Sequence, residues 1–305
     1  MNLKVFFCLF LAGMECVSYA QNTTDKLTED QLNTEEFDFE GHRGCRGLMP
    51  ENTIPGFLYA LDLGVTTLEM DVVITQDEKV ICSHDPWFSH EIALDSIGQE
   101  ILKSNEKDYN IFEMAYKETQ NFDVGTKPHE RFPDQEKFAV TKPLLTDVIE
   151  QAEQHASKTG RALPFYNIET KCTPETDNIF HPAPAKFSDL LLEVILEKGI
   201  SDRTIIQSFD IRTLKYIREH YPKIKVALLV ENTLGISQNL DNLGFLPEIY
   251  SPDFSLVNAD LIAFCHARNI QVIPWTVNEV SDMKRLIALG VDGLITDYPN
   301  RFKSL

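Results

Sequence analysis

EGHRGCRGLMPENT, residues 40–53, begins as the tail of a short apolar run and ends as the start of a helix. His42 and Arg43 fall at the turn between Gly41 and Gly44, which puts an acid–base side chain and a permanent cation on exposed backbone at a strand's end. Glu51-Asn52-Thr53 then opens a helical pattern that Asn52 or Thr53 can cap, leaving helix N–H groups free to face an anion. Strand, polar turn and capped helix make one β–α unit. His-Arg-Gly alone specifies little. Its weight comes from polar residues that recur at later strand ends.

Working outward, apolar runs of strand length stand at 37–41, 66–71, 163–169, 204–209, 225–230, 248–253, 271–276 and 293–296. Helical patterns lie between them, most plainly at 53–63, 144–158, 187–198, 211–220 and 279–289. Glycines at 64, 160, 199 and 290, and Tyr221-Pro222, stand where these helices should stop. Eight such units predict an α/β fold of the (β/α)8 TIM barrel type, with its site at the carboxyl ends of the strands. A doubly wound open sheet is the competing architecture.

Two features interrupt the alternation. Residues 72–75 and 79–84 are both strand-like, and Gln76-Asp77-Glu78 is too short a link for a parallel crossover, so they form a hairpin. Counting from Asp77 sets Asp71 opposite Ser83 and returns His84 beside Glu69 and Asp71. Residues 86–143 then carry scattered aromatics without clean periodicity, as expected of an insertion that leaves the barrel mouth and roofs it.

The chain of 305 residues has 43% hydrophobic residues, 28 Lys and Arg against 47 Asp and Glu, and a formal charge of -19. Such acidity opposes a nucleic-acid partner, which needs a basic surface. Lys4, the apolar run 5–14 and Ser18-Tyr19-Ala20 read as a signal peptide over 1–20, followed by a polar lead-in over 21–36 and the barrel over 37–305. The apolar run is too short to span a bilayer. The expected location is secreted or periplasmic, without stable membrane insertion. Past the leader, Cys45, Cys82, Cys172 and Cys265 are too few for a disulfide scaffold and lack zinc spacing, though they leave room for a bridge at the barrel mouth.

The chemistry gathers at strand ends. Glu69 and Asp71, two apart on a strand, share a face, and two inward carboxylates repel unless a cation lies between them. In Asn167-Ile168-Glu169-Thr170-Lys171, Asn167, Glu169 and Lys171 share a face in the same way, offering a third carboxylate and a point charge for phosphate. His42 and His84 are the acid–base candidates. Arg43 can grip phosphate oxygens through its planar fork. Gln207-Ser208-Phe209-Asp210 and Trp275-Thr276-Val277-Asn278 end two later strands, and Trp275 offers an apolar wall.

Together GHRG (41–44), ENT (51–53), LEMDV (68–72), HDP (84–86), NIETK (167–171), QSFD (207–210), PWTVN (274–278) and GVDGLITDYP (290–299) resemble the glycerophosphodiester phosphodiesterase family, in that family's order and across 37–302. The resemblance implies a barrel with His42 and His84 as acid and base. It also implies one divalent ion, Ca²⁺ or Mg²⁺, on Glu69, Asp71 and Glu169. Arg43 and Lys171 would then meet the phosphate, and Trp275 the glycerol or alcohol side. The turn TQDEK lacks the family's usual glycine. The expected reaction is metal-dependent hydrolysis of a small-molecule glycerophosphodiester to an alcohol and sn-glycerol 3-phosphate. The alternatives are a phospholipase for a larger phosphodiester lipid, a non-catalytic phosphodiester binder, and a sugar-cleaving barrel, which the paired histidines oppose.

Overall fold

In the computed structural model, which describes residues 37–305, the chain runs β1 (Asp38–Gly41), α1 (Ile54–Leu63), β2 (Thr67–Ile74), β3 (Val80–Cys82) and α2 (Tyr116–Thr119). It continues through α3 (Leu145–Thr159), β4 (Phe165–Thr170), α4 (Pro184–Glu197), β5 (Thr204–Ser208), α5 (Ile211–His220) and β6 (Lys225–Val230). It ends with α6 (Ile236–Leu243), β7 (Ile249–Pro252), α7 (Ala259–His266), β8 (Gln271–Val272), α8 (Val280–Leu289) and β9 (Gly293–Thr296). The signal peptide and lead-in expected over 1–36 lie outside the described residues.

Parallel pairing runs in the order β8-β7-β6-β5-β4-β2-β1-β9. Backbone bonds from Asp292 N–H to Val272 O (2.9 Å) and from Ile295 N–H to Pro274 O (3.0 Å) join the two ends into an eight-stranded barrel. The eighth strand pairs regularly over two residues rather than 271–276. Pro274 has no N–H, and the Val272 N–H is taken by the Asp292 carboxylate at 2.7 Å, so the ladder to β9 is irregular. Pro164 similarly delays β4 to Phe165. Two eight-residue helices, α6 and α7, complete the alternation where the sequence pattern is weakest. The amides Gln238, Asn239 and Asn242 dilute the apolar stripe of α6, whereas Asn258 caps α7 by accepting the Leu261 N–H.

The hairpin register is Val72↔Cys82, Val73↔Ile81 and Ile74↔Val80, and the Ser83 N–H continues it onto Asp71 O at 3.0 Å. In the turn without a glycine, Glu78 takes φ 59, the left-handed conformation glycine usually supplies. The Asp77 carboxylate accepts from Thr75 Oγ1 and the Tyr116 N–H and holds the turn closed.

Two apolar layers support the wall. Outside it, Phe57 and Leu61 of α1 and Leu68 and Met70 of β2 are buried, each contributing roughly 1.5–3 kcal/mol. Inside, Ile205, Ala227, Ile249, Ile273 and Ile295 fill the barrel below Trp275. Residues 86–143 build a small core with Val73 and Ile81 of the hairpin, centred on Phe88 and Phe122, stacked at 3.9 Å. All four described cysteines are buried and free, so no bridge spans the barrel mouth.

Candidate active site

Above the inner apolar layer lies a cavity of about 870 Å³. The turn after β1 enters it at a position only glycine tolerates. A Cβ on Gly41 would sit 2.1 Å from Gly44 O, and one on Gly44, at φ 84, would meet the backbone of Gly56 at 2.9 Å. The tight turn gives Arg43 φ 50 and lays its N–H 2.7 Å from Glu69 Oε2. His42 lines the cavity, with Nδ1 2.6 Å from Asp297 Oδ1. Asp297 follows β9, at the far end of the sequence.

Asp297 also accepts from Arg46 (Nε at 2.9 Å, Nη2 at 3.1 Å) and from Asn278 Nδ2 at 2.8 Å. Burial alone would raise its carboxyl, but His42 and Arg46 hold it far below the usual carboxylate range. An ionised carboxylate only accepts, so His42 carries its proton on Nδ1 and keeps a lone pair on Nε2. Burial and the Arg46 charge lower this imidazole from 6.5 to about 4.

The second histidine has a looser setting. His84, past the end of β3, faces the same cavity and lies 3.1 Å by Nδ1 from the adjacent Asp85. Its side chain is 33% exposed, against 11% for His42.

Glu69 and Asp71 from β2 and Glu169 from β4 are buried, and one oxygen from each lies within 4.8 Å of the others. Their register explains the convergence, because Asp71 pairs with Glu169 across the parallel ladder. Burial and Asp71 push Glu69 well above its ordinary value, and burial carries Glu169 up to about 7 against the pull of Lys171. Asp71 goes the other way. Burial would raise it, but Arg43 and Lys171 hold it well below the usual range. The cluster is therefore short of positive charge, and its three hard oxygen donors fit a divalent cation such as Ca²⁺ or Mg²⁺.

The expected phosphate-binding cations are both engaged with carboxylates. Lys171 Nζ lies 2.7 Å from Glu169 Oε1 and 3.5 Å from Asp71 Oδ1. Arg43 donates from Nη1 to Glu51 Oε1 at 2.9 Å, and its Nε lies 3.2 Å from Asp71 Oδ2 in an ion contact without hydrogen-bond alignment. Both still line the cavity. Trp275 anchors its indole N–H on Ser251 O at 2.9 Å and meets Phe209 edge-on at 5.5 Å, forming an apolar wall.

The helix N-terminus after ENT does not line the cavity. Thr53, not Asn52, is the cap, accepting the Gly56 N–H at 3.2 Å. The Phe57 N–H is taken by Thr53 O, and Pro55 has none to give. Asn52 instead turns to β2, donating to Asp71 Oδ2 at 2.9 Å and accepting the Asp71 N–H at 3.2 Å.

The structure adds partners beyond the candidate residues named from the sequence. Asp297 and Arg46 hold His42, Glu51 holds Arg43, and Gln207 Nε2 donates to Glu69 Oε1 at 2.7 Å. Asp297 ends a strand within the quoted GVDGLITDYP, so the strand-end rule that singled out Glu69 could have found it. Arg46 carries no such signal. From the insertion, Trp87, His90, Glu106, Arg131 and Phe132 line the outer cavity, and Gln135 ties the segment down by donating to Arg46 O at 2.6 Å.

Comparison with known proteins agrees with this geometry. Residues 42–301 match the model of the glycerophosphoryl diester phosphodiesterase family. A Bacillus altitudinis glycerophosphodiester phosphodiesterase is 29% identical over 264 residues, covering 85% of this chain and 94% of the relative. A Silicibacter pomeroyi DSS-3 structure named for the same activity superposes with a TM-score of 0.78 at 30% identity, covering 88% of this chain and 92% of the other. An Oleispira antarctica phosphodiesterase solved with sn-glycerol-3-phosphate as product shares the fold, with a TM-score of 0.69 at 20% identity over 89% and 97% of the two chains. The barrel, the motif order and a match over 42–301 make this chain a member of the glycerophosphoryl diester phosphodiesterase family.

Proposed function

We propose that this chain hydrolyses glycerophosphodiesters to an alcohol and sn-glycerol 3-phosphate, using one divalent cation and two histidines. The observation that carries the reading is convergence. Three buried carboxylates on the neighbouring strands β2 and β4 converge, and two of them, Glu69 and Glu169, line one cavity together with the imidazoles of His42 and His84. Glu69, Asp71 and Glu169 would hold the cation. When bound, it supplies the positive charge that polarises a phosphoryl oxygen and a neighbouring hydroxyl.

The chain's own residues do the rest. His42 is neutral, with its Nε2 lone pair set by Asp297, and takes the proton from the attacking oxygen. His84, the more exposed of the two, returns a proton to the departing alkoxide; burial, Arg43 and Lys171 lower its imidazole, while Asp71 and Asp85 favour its charged form. Arg43 is fixed by Glu51 and Lys171 sits at the cavity wall. Both aim permanent charge at the phosphoryl oxygens, where negative charge grows. Trp275 and Phe209 form the apolar side against which the carbon chain rests.

Lys4, the apolar run 5–14 and Ser18-Tyr19-Ala20 support cleavage after Ala20 and export to a secreted or periplasmic location. The first residue of protein recovered outside the cytoplasm tests this point.

The reaction is tested by product analysis with glycerophosphocholine under calcium, magnesium and chelator. Glycerol 3-phosphate with choline, lost on chelation, is the expected outcome. Phosphocholine would place cleavage on the other side of phosphorus and overturn the reading.

A further inference from the structure

Inside the barrel a polar line leads up to Glu69, and none of the steps above uses its lower end. Glu40 on β1, Asn167 on β4, Gln207 on β5 and Glu69 on β2 are 0, 2, 2 and 1% exposed. Asn167 Nδ2 donates to Glu40 Oε2 at 2.8 Å and to Gln207 Oε1 at 3.2 Å. Gln207 Nε2 then donates to Glu69 Oε1 at 2.7 Å. Glu40 and Asn167 do not line the cavity, so they act only through the residues above them.

A carboxamide is nearly symmetric in shape, and its neighbours decide which end is donor and which acceptor. Here the decision is made at one end. Glu40 Oε2 accepts, so the Asn167 NH₂ faces it. The second hydrogen of that NH₂ goes to Gln207 Oε1, which leaves the Gln207 NH₂ to face Glu69. The other atoms of the first link, Glu40 Oε1 and Asn167 Oδ1, have no hydrogen-bond partner, so nothing else competes for either group. At the upper end both oxygens of Glu69 are pinned, Oε1 by Gln207 and Oε2 by the Arg43 N–H.

We propose that Glu40 is a positioning residue, the fixed end of a buried relay through Asn167 and Gln207 that turns an N–H onto Glu69 and presets that carboxylate for the cation. The cation itself belongs to the functional reading above. Burial and Asp38 push Glu40 well above its ordinary value, which favours its uncharged form, with Oε2 as the oxygen that accepts from Asn167. Glutamine is therefore its nearest mimic, with an oxygen still available to accept from Asn167. Leucine has the size and no acceptor.

The test is calcium binding by titration calorimetry on the wild-type protein, Glu40→Gln and Glu40→Leu, with melting temperatures taken without metal. Loss of an outer hydrogen-bond partner of a metal ligand typically weakens binding by roughly 10- to 100-fold. That loss is expected in Glu40→Leu, while Glu40→Gln stays within about threefold of wild type, because its oxygen still orients Asn167. Wild-type affinity in a folded Glu40→Leu protein overturns the proposal. So does an equal loss in both variants with an equal drop in melting temperature, which marks general damage. If the wild type binds no divalent cation, the functional reading falls, and the relay is decided in the metal-free protein by NMR of the side-chain amides. Shifted Gln207 NH₂ signals in Glu40→Leu support it, and unchanged signals overturn it. Should Glu40→Leu not fold, Asn167→Leu interrupts the same relay one link closer and is read the same way.

Discussion

The two imidazoles that share the cavity are held in opposite ways. His42 is buried against Asp297, 255 residues away, and that carboxylate is itself held by Arg46 and Asn278. His84 leans on the next residue, Asp85, and a third of its side chain meets solvent. The first arrangement fixes one tautomer and one protonation state. The second leaves the ring more exposed, with burial, Arg43 and Lys171 lowering it and Asp71 and Asp85 favouring its charged form. The difference suits a base that must stay neutral and an acid that must carry a proton and give it up.

Removing either ring breaks the comparison outright. His42→Ala and His84→Ala are each expected to lower kcat by at least roughly 10²- to 10⁴-fold, the range of general acid–base contributions, with the far-UV circular dichroism spectrum unchanged. Full activity in either variant would sink the assignment. The supporting carboxylates come next. Asp297→Asn removes the acceptor that fixes the His42 tautomer and should cost roughly 10- to 100-fold in kcat, whereas Asp85→Asn should cost about threefold. Equal losses would mean that the two settings are equivalent.

The contrast also explains what the chain revealed before folding. His84 and Asp85 are neighbours, and Glu69 with Asp71 and Asn167 with Glu169 are spaced by two, so strand geometry alone aligned them. Eight strand-length runs with glycine stops pointed to the barrel, with a doubly wound open sheet as the alternative. The contacts that hold His42 were hidden, because Asp297 meets it only when β9 closes onto β1. Arg46 was hidden for another reason. Nothing in CRGL marks a guanidinium that will fold back on a distant carboxylate. The α1 N-terminus lies off the cavity, and Pro55 and the Thr53 cap leave it few free donors.

A smaller effect appears in acid. Folded His42 stays neutral down to about 4, whereas a free imidazole takes up its proton near 6.5. Between those values the unfolded chain binds the extra proton, so stability falls as pH falls through the window, by roughly 3 kcal/mol from this group. Glu51 extends the trend. Arg43 and Arg46 outweigh its burial and lower it to about 2, so its contribution, complete above 4.5, is lost as pH falls toward 2. Urea titrations of His42→Asn should show a flatter stability profile between pH 6.5 and 4 than wild type. A slope as steep as the parent's would show that His42 is not the titrating group.

A modest effect concerns how the looser histidine is kept in place at all. Lys142, at the end of the insertion, is 3% exposed and donates to Ser83 Oγ at 2.7 Å. Ser83 Oγ donates in turn to Asp85 O at 2.5 Å, so a buried ammonium anchors the backbone on both sides of His84. Burial lowers its pKa while Glu51 and Asp85 support the charge, a setting that costs desolvation and gains position. Lys142→Met keeps the bulk and removes both the charge and the donor. Its melting temperature should hold or rise, because a buried charge is gone, while kcat falls by roughly three- to tenfold as the His84 loop loosens. Activity and stability moving in opposite directions is the signature of an anchor. If kcat is unchanged, His84 is positioned by Asp85 alone, and the insertion serves the cavity wall without reaching the chemistry.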